Sequence, residues 1–307
     1  MRKLFTVSDM YKFFSEKGDL IRQRDDLIRQ RDDLIRQRDD LIHQRDDLIH
    51  QRDDLIRQRD GVSVGREDDA VPAVLLNTLP KSASVFVLEV LAAALNKSVV
   101  TISPGYFPRD TVDVRSLNRL IREKGIAQSH LDASEFNGRF LAKIEKVVVQ
   151  FRDPRQSMLS WLHHLDRLNK SANKDFLETV SPLLPPDYFS FSFEKKFDYQ
   201  MKFYLPQVVT WMNEWVSFYE KVANEKRLMI GTYEAFVADP KAYFGGIFEF
   251  LGIPNTRQIQ LPVVRPTTEK NFRLGKPNEW ESVFTDDHKK TASAIIPKDL
   301  RFRFNWK

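Results

Sequence analysis

Three basic positions in this chain stand where strands give way to loops or helices. The first lies in Thr78-Leu79-Pro80-Lys81-Ser82-Ala83-Ser84, which follows the apolar run Val74-Leu75-Leu76-Asn77 and precedes an apolar-rich stretch that reads as a helix from Ser84 to Leu95. A strand, a tight loop carrying Lys81 with hydroxyls, and a helix N-terminus together make an anion cradle, because backbone N–H groups and the helix dipole face one point. The second is Arg152, at the end of the β-branched run Val147-Val148-Val149-Gln150-Phe151, with Pro154 placed to open a helix running to about Leu168. Ser160 follows Arg152 by eight residues, about two helical turns in, so both can reach one anion. The third is the stretch Asn271-Phe272-Arg273-Leu274-Gly275-Lys276-Pro277, a basic loop with a glycine and Trp280 close behind. The spaced glycines that precede Lys-Ser/Thr in nucleotide triphosphatases are missing from the Lys81 loop, so this is a phosphate loop of another kind.

Alternating strands and helices must position these groups. Besides the two strands above, Ser98–Ile102, Ile126–Ser129 and Leu228–Gly231 read as strands. Helical stretches are expected over Asp110–Lys124, Leu205–Asn224 and from Pro240 to Leu251. Continuous apolar strands separated by helices predict a mostly parallel sheet covered on both faces. In such sheets ligands bind beyond the carboxyl ends of the strands, where the basic residues lie. Ser181–Phe197, with Pro182, Pro185, Pro186 and Phe at 189, 191, 193 and 197, reads as an aromatic loop region that either lines an acceptor pocket or packs on the core.

Composition narrows the classes. Apolar residues make up 42% of the 307, with 23 Phe and 5 Trp, which excludes wholesale disorder. With no Cys there is no disulfide scaffold, thiolate zinc site or cysteine nucleophile. No run is long and apolar enough to span a membrane, and the N-terminus lacks the apolar stretch of a signal peptide, so a cytoplasmic protein is expected. The net charge of +5 suits an anionic ligand and is too small to argue for nucleic acid.

The N-terminal part is a repeat. The unit Leu-Ile-Arg/His-Gln-Arg-Asp-Asp recurs six times from Leu20, with Leu-Ile pairs from Leu20-Ile21 to Leu55-Ile56 and neither Gly nor Pro between them. A strict period of seven predicts a long helix with a continuous seam, about 60 Å from end to end. Packing supplies most helical stability, so self-association as a coiled coil is expected for residues 1–60, with dimer, trimer and tetramer all open and a lone helix stitched by Arg–Asp pairs as the alternative. His43 and His50 stand in Arg positions and carry no metal-site pattern. Residues 61–72 form a Gly- and Ser-containing acidic linker ending at Pro72, and residues 73–307 the folded body.

The body resembles the sulfotransferases that use 3′-phosphoadenosine 5′-phosphosulfate (PAPS). Pro80-Lys81-Ser82-Ala83-Ser84 is similar to the family's 5′-phosphosulfate loop, Phe151-Arg152-Asp153-Pro154-Arg155 through Ser160 to its 3′-phosphate segment, and Phe272-Arg273-Leu274-Gly275 with Trp280 to its closing loop. Thr232-Tyr233-Glu234-Ala235-Phe236 resembles the segment whose Tyr lies near the adenine. The resemblance implies a three-layer α/β/α domain of P-loop-like sulfotransferase fold. It implies PAPS as cofactor without a metal, held by Lys81, Ser82, Ala83, Ser84, Val85, Phe86, Arg152, Ser160, Tyr233, Arg273, Leu274 and Gly275. Ala83 stands in place of the loop glycine, which implies a backbone angle that alanine tolerates. Val85 replaces a Thr, Phe86 the Trp that stacks on adenine, and Leu274 a Lys. The family's short C-terminal dimer motif would fall near Glu281–Lys290, where Thr285 alone fits, which leaves assembly to the heptads.

Gln128-Ser129-His130-Leu131 resembles the family's strand end bearing its catalytic His. A histidine suits proton removal near neutral pH, so His130 is the expected base, with Glu135 the alternative. Lys81, beside the bridging oxygen of the leaving group, would stabilise or protonate it. His163 and His164 are expected to line or cap a helix face. The acceptor would be a hydroxylated small molecule, sugar or lipid. Two further readings stay open: an ATP-dependent small-molecule kinase using the same cradle, and an inactive coiled-coil scaffold with a sulfotransferase-like body, as Ala83, Val85 and Leu274 allow.

Overall fold

Val74, Leu76, Ile126 and Val148 belong to one apolar core, while Leu75, Ala127, Val147, Val149 and Phe151 belong to another. That alternation is what a strand imposes on its side chains, and it puts a core on each face of one sheet. The computed structural model describes residue 30 and residues 71–108, 110–170, 175–180, 183–253 and 278–306. The expected heptad coiled coil, most of the linker, and Arg273, Leu274 and Gly275 lie outside the described residues. The chain divides into two units, Met1–Gly65 and Arg66–Lys307, and the second is the one described below.

In chain order the elements are β1 (Val74–Thr78), α1 (Ser84–Leu95), α2 (Val114–Arg122), β2 (Ile126–Ser129), α3 (Glu135–Leu141), β3 (Lys146–Phe151), α4 (Pro154–Lys170) and α5 (Asp175–Val180). There follow α6 (Phe193–Val222), β4 (Leu228–Thr232), α7 (Tyr233–Ala238), α8 (Pro240–Leu251), α9 (Trp280–Val283), α10 (Asp286–Ile295) and α11 (Lys298–Arg303). The described strands form one four-stranded sheet in the order β2-β1-β3-β4, parallel throughout. The registers Asn77↔Ser129, Thr78↔Gln150 and Phe151↔Thr232 align the carboxyl ends along one edge. The cradle loop, His130, Arg152 and Tyr233 therefore leave the sheet side by side.

Local chemistry explains the boundaries. Asp113 caps α2 by accepting from Ser116 N, Ser134 caps α3 by accepting from Asn137 N, and Asp239 with Pro240 opens α8. Two expected elements are corrected. Ser98–Ile102 is not a strand: Val99 makes one parallel bridge to Ile126, through Val100 N to Ile126 O and Ile126 N to Ser98 O, and the chain then turns away. The aromatic stretch is a loop only up to Ser192, whose Oγ accepts from Lys195 N and whose carbonyl accepts from Lys196 N. From Phe193 a 30-residue helix runs on with Pro206 inside it, where a helix start near Leu205 was expected. An internal proline costs about 3 kcal/mol. Phe197, Met201, Tyr204, Leu205, Val208, Trp211, Met212 and Trp215 are buried on both sides of it, at steps of one, three or four residues, and this packing outweighs the cost.

Candidate functional site

The cradle is a five-residue turn, Leu79–Ala83, between β1 and α1. Lys81 and Ala83 both have positive φ, 67° and 65°. This is the left-handed region that favours glycine, so the bend is kept with an alanine in it, contrary to the expectation of an angle alanine tolerates. No side chain caps α1, so its first N–H groups stay directed out of the turn. The turn is held from below. Ser82 Oγ donates to Leu79 O at 2.6 Å, Ser157 Oγ on α4 donates to Pro80 O at 2.9 Å, and Leu79 N donates to Gln150 O at 2.9 Å. Gln150 adds a side-chain clamp: its Nε2 donates to Ser82 O while its Oε1 accepts from Tyr243 Oη at 2.9 Å. Burial, then the charges of Arg167 and Arg152, bring the Lys81 amine down to about 7.

Arg152 leaves β3 and turns toward the cradle, its Nη1 donating to Lys81 O at 2.5 Å. The guanidinium lies over the Tyr233 ring at 3.9 Å, and Tyr233 opens α7 at the tip of β4. Phe86 on α1 meets Phe236 at 5.5 Å, and Phe236 meets Tyr233 at 6.2 Å, so an aromatic group lies between cradle and arginine. Asp153 N donates to Glu234 Oε1 at 3.0 Å, tying the tips of β3 and β4. The Asp153 carboxylate is itself buried against Arg155, with contacts of 2.9 and 2.6 Å, and Arg155 lies under Trp280 at 3.5 Å. Ser160 sits half-buried on α4.

His130 follows β2. Its Nδ1 lies 2.6 Å from Thr78 O, an acceptor only, so Nδ1 carries the proton and Nε2 holds the lone pair. Gln128 Nε2 lies 3.4 Å from that Nε2 and donates to Thr78 Oγ1 at 3.2 Å. The His130 amide donates to Asp110 Oδ2 at 3.0 Å, and Tyr106 meets the imidazole edge-on at 4.6 Å. The next carbonyl, of Leu131, accepts from both Trp211 Nε1 at 2.8 Å and Trp215 Nε1 at 2.9 Å. Burial holds the imidazole down to about 4, against the Thr78 bond and with a smaller push from the Lys81 charge.

The structure thus brings Lys81, Ser82, Arg152, Tyr233, Phe86 and His130 to one edge of the sheet. Ser84 is half-buried and Val85 exposed at the start of α1. Glu135 stands apart: its side chain is 84% exposed and pairs with Arg139. His164 is more than a helix-face residue, since it bonds Arg167 and feels the Lys81 charge. Gln150, Ser157 and Tyr243 were missed. The one sequence signal for them is a glutamine closing an otherwise apolar strand, a buried polar group that needs partners. Among the described residues no group of three or more His, Asp or Glu is placed to hold a metal ion, and no helix is long and apolar enough to cross a membrane.

Residues 71–301 match the model of the Sulfotransferase domain family. The chain belongs to the sulfotransferase family. Among solved structures, the sulfotransferase body is similar to mouse sulfotransferase SULT7A1 complexed with PAP, at 20% identity over 72% of this chain and 82% of that one, TM-score 0.49. It is also similar to a sulfotransferase from Alicyclobacillus acidocaldarius, at 13% identity over 77% and 96%, TM-score 0.45. A third is retinol dehydratase in complex with retinol and PAP, at 18% identity over 74% and 80%, TM-score 0.48. No curated protein matches the chain by sequence. Family membership rests on the domain match.

Proposed function

We propose that this sulfotransferase moves a sulfuryl group from PAPS to a hydroxyl or amine of a small-molecule, sugar or lipid acceptor. The observation that carries the reading is convergence: Arg152 reaches the Lys81 carbonyl while His130 reaches the Thr78 carbonyl, so three strand tips meet on one loop. The residues present fit the donor. The uncapped N-terminus of α1 with Lys81, Ser82, Ala83, Ser84 and Val85 suits the 5′ end, Arg152 with Ser160 the 3′-phosphate, and Phe86, Phe236 and Tyr233 the adenine. Arg273, Leu274 and Gly275 would complete the grip. When bound, PAPS supplies a sulfuryl group already joined to a phosphate leaving group.

The chain's own residues then divide the work. His130, neutral with its lone pair on Nε2, takes the acceptor's proton at that atom. Lys81 neutralises the charge that builds on the oxygen the sulfuryl group leaves. The buried surroundings of His130 strengthen its part by keeping water out. The kinase alternative is disfavoured because Asp153, the aspartate at the end of β3, is engaged by Arg155. Self-association through the heptads accompanies the proposal, as does a cytoplasmic location.

Thermal-shift measurements test it. Adenosine 3′,5′-bisphosphate (PAP) should raise the melting temperature of the full chain, and ATP with magnesium should not. Preference for ATP overturns the reading, and no response to either nucleotide supports the inactive scaffold. Radiolabelled donor offered with phenols, alcohols, sugars and hydroxylated lipids then finds the acceptor.

A further inference from the structure

One polar side chain sits on the nitrogen that the proposed base would use. Gln128 and His130 are two residues apart at the end of β2, so their side chains leave on the same side. Thr78 stands beside them, because β1 and β2 pair with Asn77 opposite Ser129. The Gln128 amide nitrogen meets three acceptors: Ser129 O at 3.1 Å, Thr78 Oγ1 at 3.2 Å and His130 Nε2 at 3.4 Å. Two carbonyls fix the directions of these bonds. Ser129 O accepts only, so the amide faces it with N–H and not with its own oxygen. Thr78 O, 2.6 Å from His130 Nδ1, also accepts only, so the ring proton is on Nδ1 and Nε2 is left to accept. The two assignments are independent and agree: Gln128 donates to the His130 lone pair. Among the described residues no other group bonds that nitrogen. The backbone of His130 is held by different groups. Asn77 Oδ1 accepts from Ser129 Oγ at 2.8 Å and from Leu131 N at 2.9 Å, its Nδ2 donates to Leu131 O at 2.9 Å, and Asp110 takes the His130 amide. Gln128 therefore bears on the ring and not on the fold around it.

We infer that Gln128 is a positioning residue for the base: its amide occupies the His130 lone pair in the resting enzyme, holds the ring in one tautomer, and yields the lone pair to the acceptor while keeping two bonds of its own. The inference rests on the sulfuryl-transfer reading with His130 as base and adds a latch to it. Release follows from a count. A carboxamide has two N–H hydrogens, and here they are shared among three acceptors, so one contact is surplus. The contact with Nε2 is the longest of the three and hence the weakest. When an acceptor hydroxyl takes Nε2, the two hydrogens keep Thr78 Oγ1 and Ser129 O. Until then, a donor on the lone pair favours the neutral ring, in the same direction as burial.

Nitrogen NMR of the full chain, isotope-labelled in its histidines and measured at neutral pH with PAP present, tests the latch. In a neutral imidazole the bare nitrogen resonates far from the protonated one, and donation onto it moves its signal part of the way toward that partner. The His130 signals are those lost in His130→Gln. Wild type should show Nδ1 protonated and Nε2 bare but displaced by donation. Gln128→Met, of similar length and without a donor, should move the Nε2 signal to that of a free lone pair, and Gln128→Lys, which restores a donor, should move it back. Thr78→Val keeps the side-chain shape and leaves two hydrogens for two acceptors, so Nε2 should shift further toward the protonated value than in wild type. An Nε2 signal unchanged in Gln128→Met overturns the inference, as does a wild-type ring protonated on Nε2. Thr78→Val without the further shift also overturns it, because the three acceptors would then not be sharing two hydrogens. If Gln128→Met does not fold, the wild-type tautomer and Thr78→Val decide between these outcomes. Failure of PAP to bind sinks the sulfuryl-transfer reading, whereas PAP binding with an Nε2 indifferent to residue 128 sinks only this inference.

Discussion

At the scale of single residues, Lys81 and His130 are held in protonation states that ligand binding should change. Burial and two neighbouring arginines bring Lys81 to about 7, against 10.5 for a free lysine. At pH 8 it is largely neutral, and an anionic ligand in the cradle favours its charged form. Calorimetry of PAP binding at pH 8, in buffers of different ionisation enthalpy, should therefore report uptake of about one proton, lost in Lys81→Met. Binding without proton uptake would place the amine away from the anion. The sign for folding follows from the same shift: the unfolded chain keeps this proton up to 10.5, so stability rises as pH climbs from about 7 toward that value. His130 is lowered from 6.5 to about 4. Below pH 6.5 the unfolded chain accepts a proton that the folded chain refuses until about 4, so stability falls through that window. The full cost is about 3 kcal/mol, and urea titrations of His130→Gln at pH 7 and 4.5 should lack most of it. In turnover, His130→Ala should lower kcat by about a hundredfold or more while leaving the PAP affinity nearly unchanged; full kcat would put the base elsewhere. The placement of Lys81, Arg152 and His130 just beyond strands was legible, because an apolar run ends shortly before each of them. The bond that sets the His130 tautomer was not, since Thr78 lies fifty-two residues away and only the β1–β2 register brings them together.

At the scale of elements, the cradle is a strained turn under a clamp. An L-residue in the left-handed region costs about 1–2 kcal/mol, and replacing it by glycine gives back roughly 0.4–1 kcal/mol in unfolded-chain entropy. Ala83→Gly should therefore stabilise the protein by about 0.5 kcal/mol in urea titrations; destabilisation would mean that the methyl group packs better than its angle suggests. The clamp depends on Tyr243, whose ring lies so close to Gly231 that an added Cβ would meet Cε2 at 2.9 Å. Gly231→Ala should push that ring away, release the Gln150 amide from its acceptor role and weaken PAP binding several-fold, at about 1–3 kcal/mol of stability. Tyr243→Phe should weaken PAP binding while costing only about 1 kcal/mol, the worth of one hydrogen bond. Intact PAP affinity in both variants would show that the turn holds its shape without Gln150. Strands, α1, α4 and α8 were readable from apolar runs bounded by Pro and capping residues. The start of α6, expected near Leu205, lies at Phe193, and the signal for it, burial on both sides of Pro206, exists only in the packed body. The Ser98–Ile102 segment has strand composition, but a single bridge to Ile126 is all the sheet edge gives it.

At the scale of the molecule, the heptads and the sulfotransferase body make separate demands on the chain. Removing residues 20–60 should lower the sedimenting mass to that of a single shortened chain and leave the far-ultraviolet spectrum of the body and its PAP affinity intact. A sedimenting mass still several chains large would mean that the body associates by itself. The division into heptad repeat, linker and body is an expectation from the sequence, resting on a seven-residue period and a Gly- and Ser-bearing acidic stretch. One link inside the body reaches further. The Leu131 carbonyl, one residue beyond His130, holds the indole N–H groups of Trp211 and Trp215, both on the longest described helix. The position of the proposed base is thus inherited from a girder that also forms a large share of the core. Such an enzyme has no soft state in which the fold persists and the chemistry fails: on heating, turnover and the near-ultraviolet signal of those two indoles should vanish together.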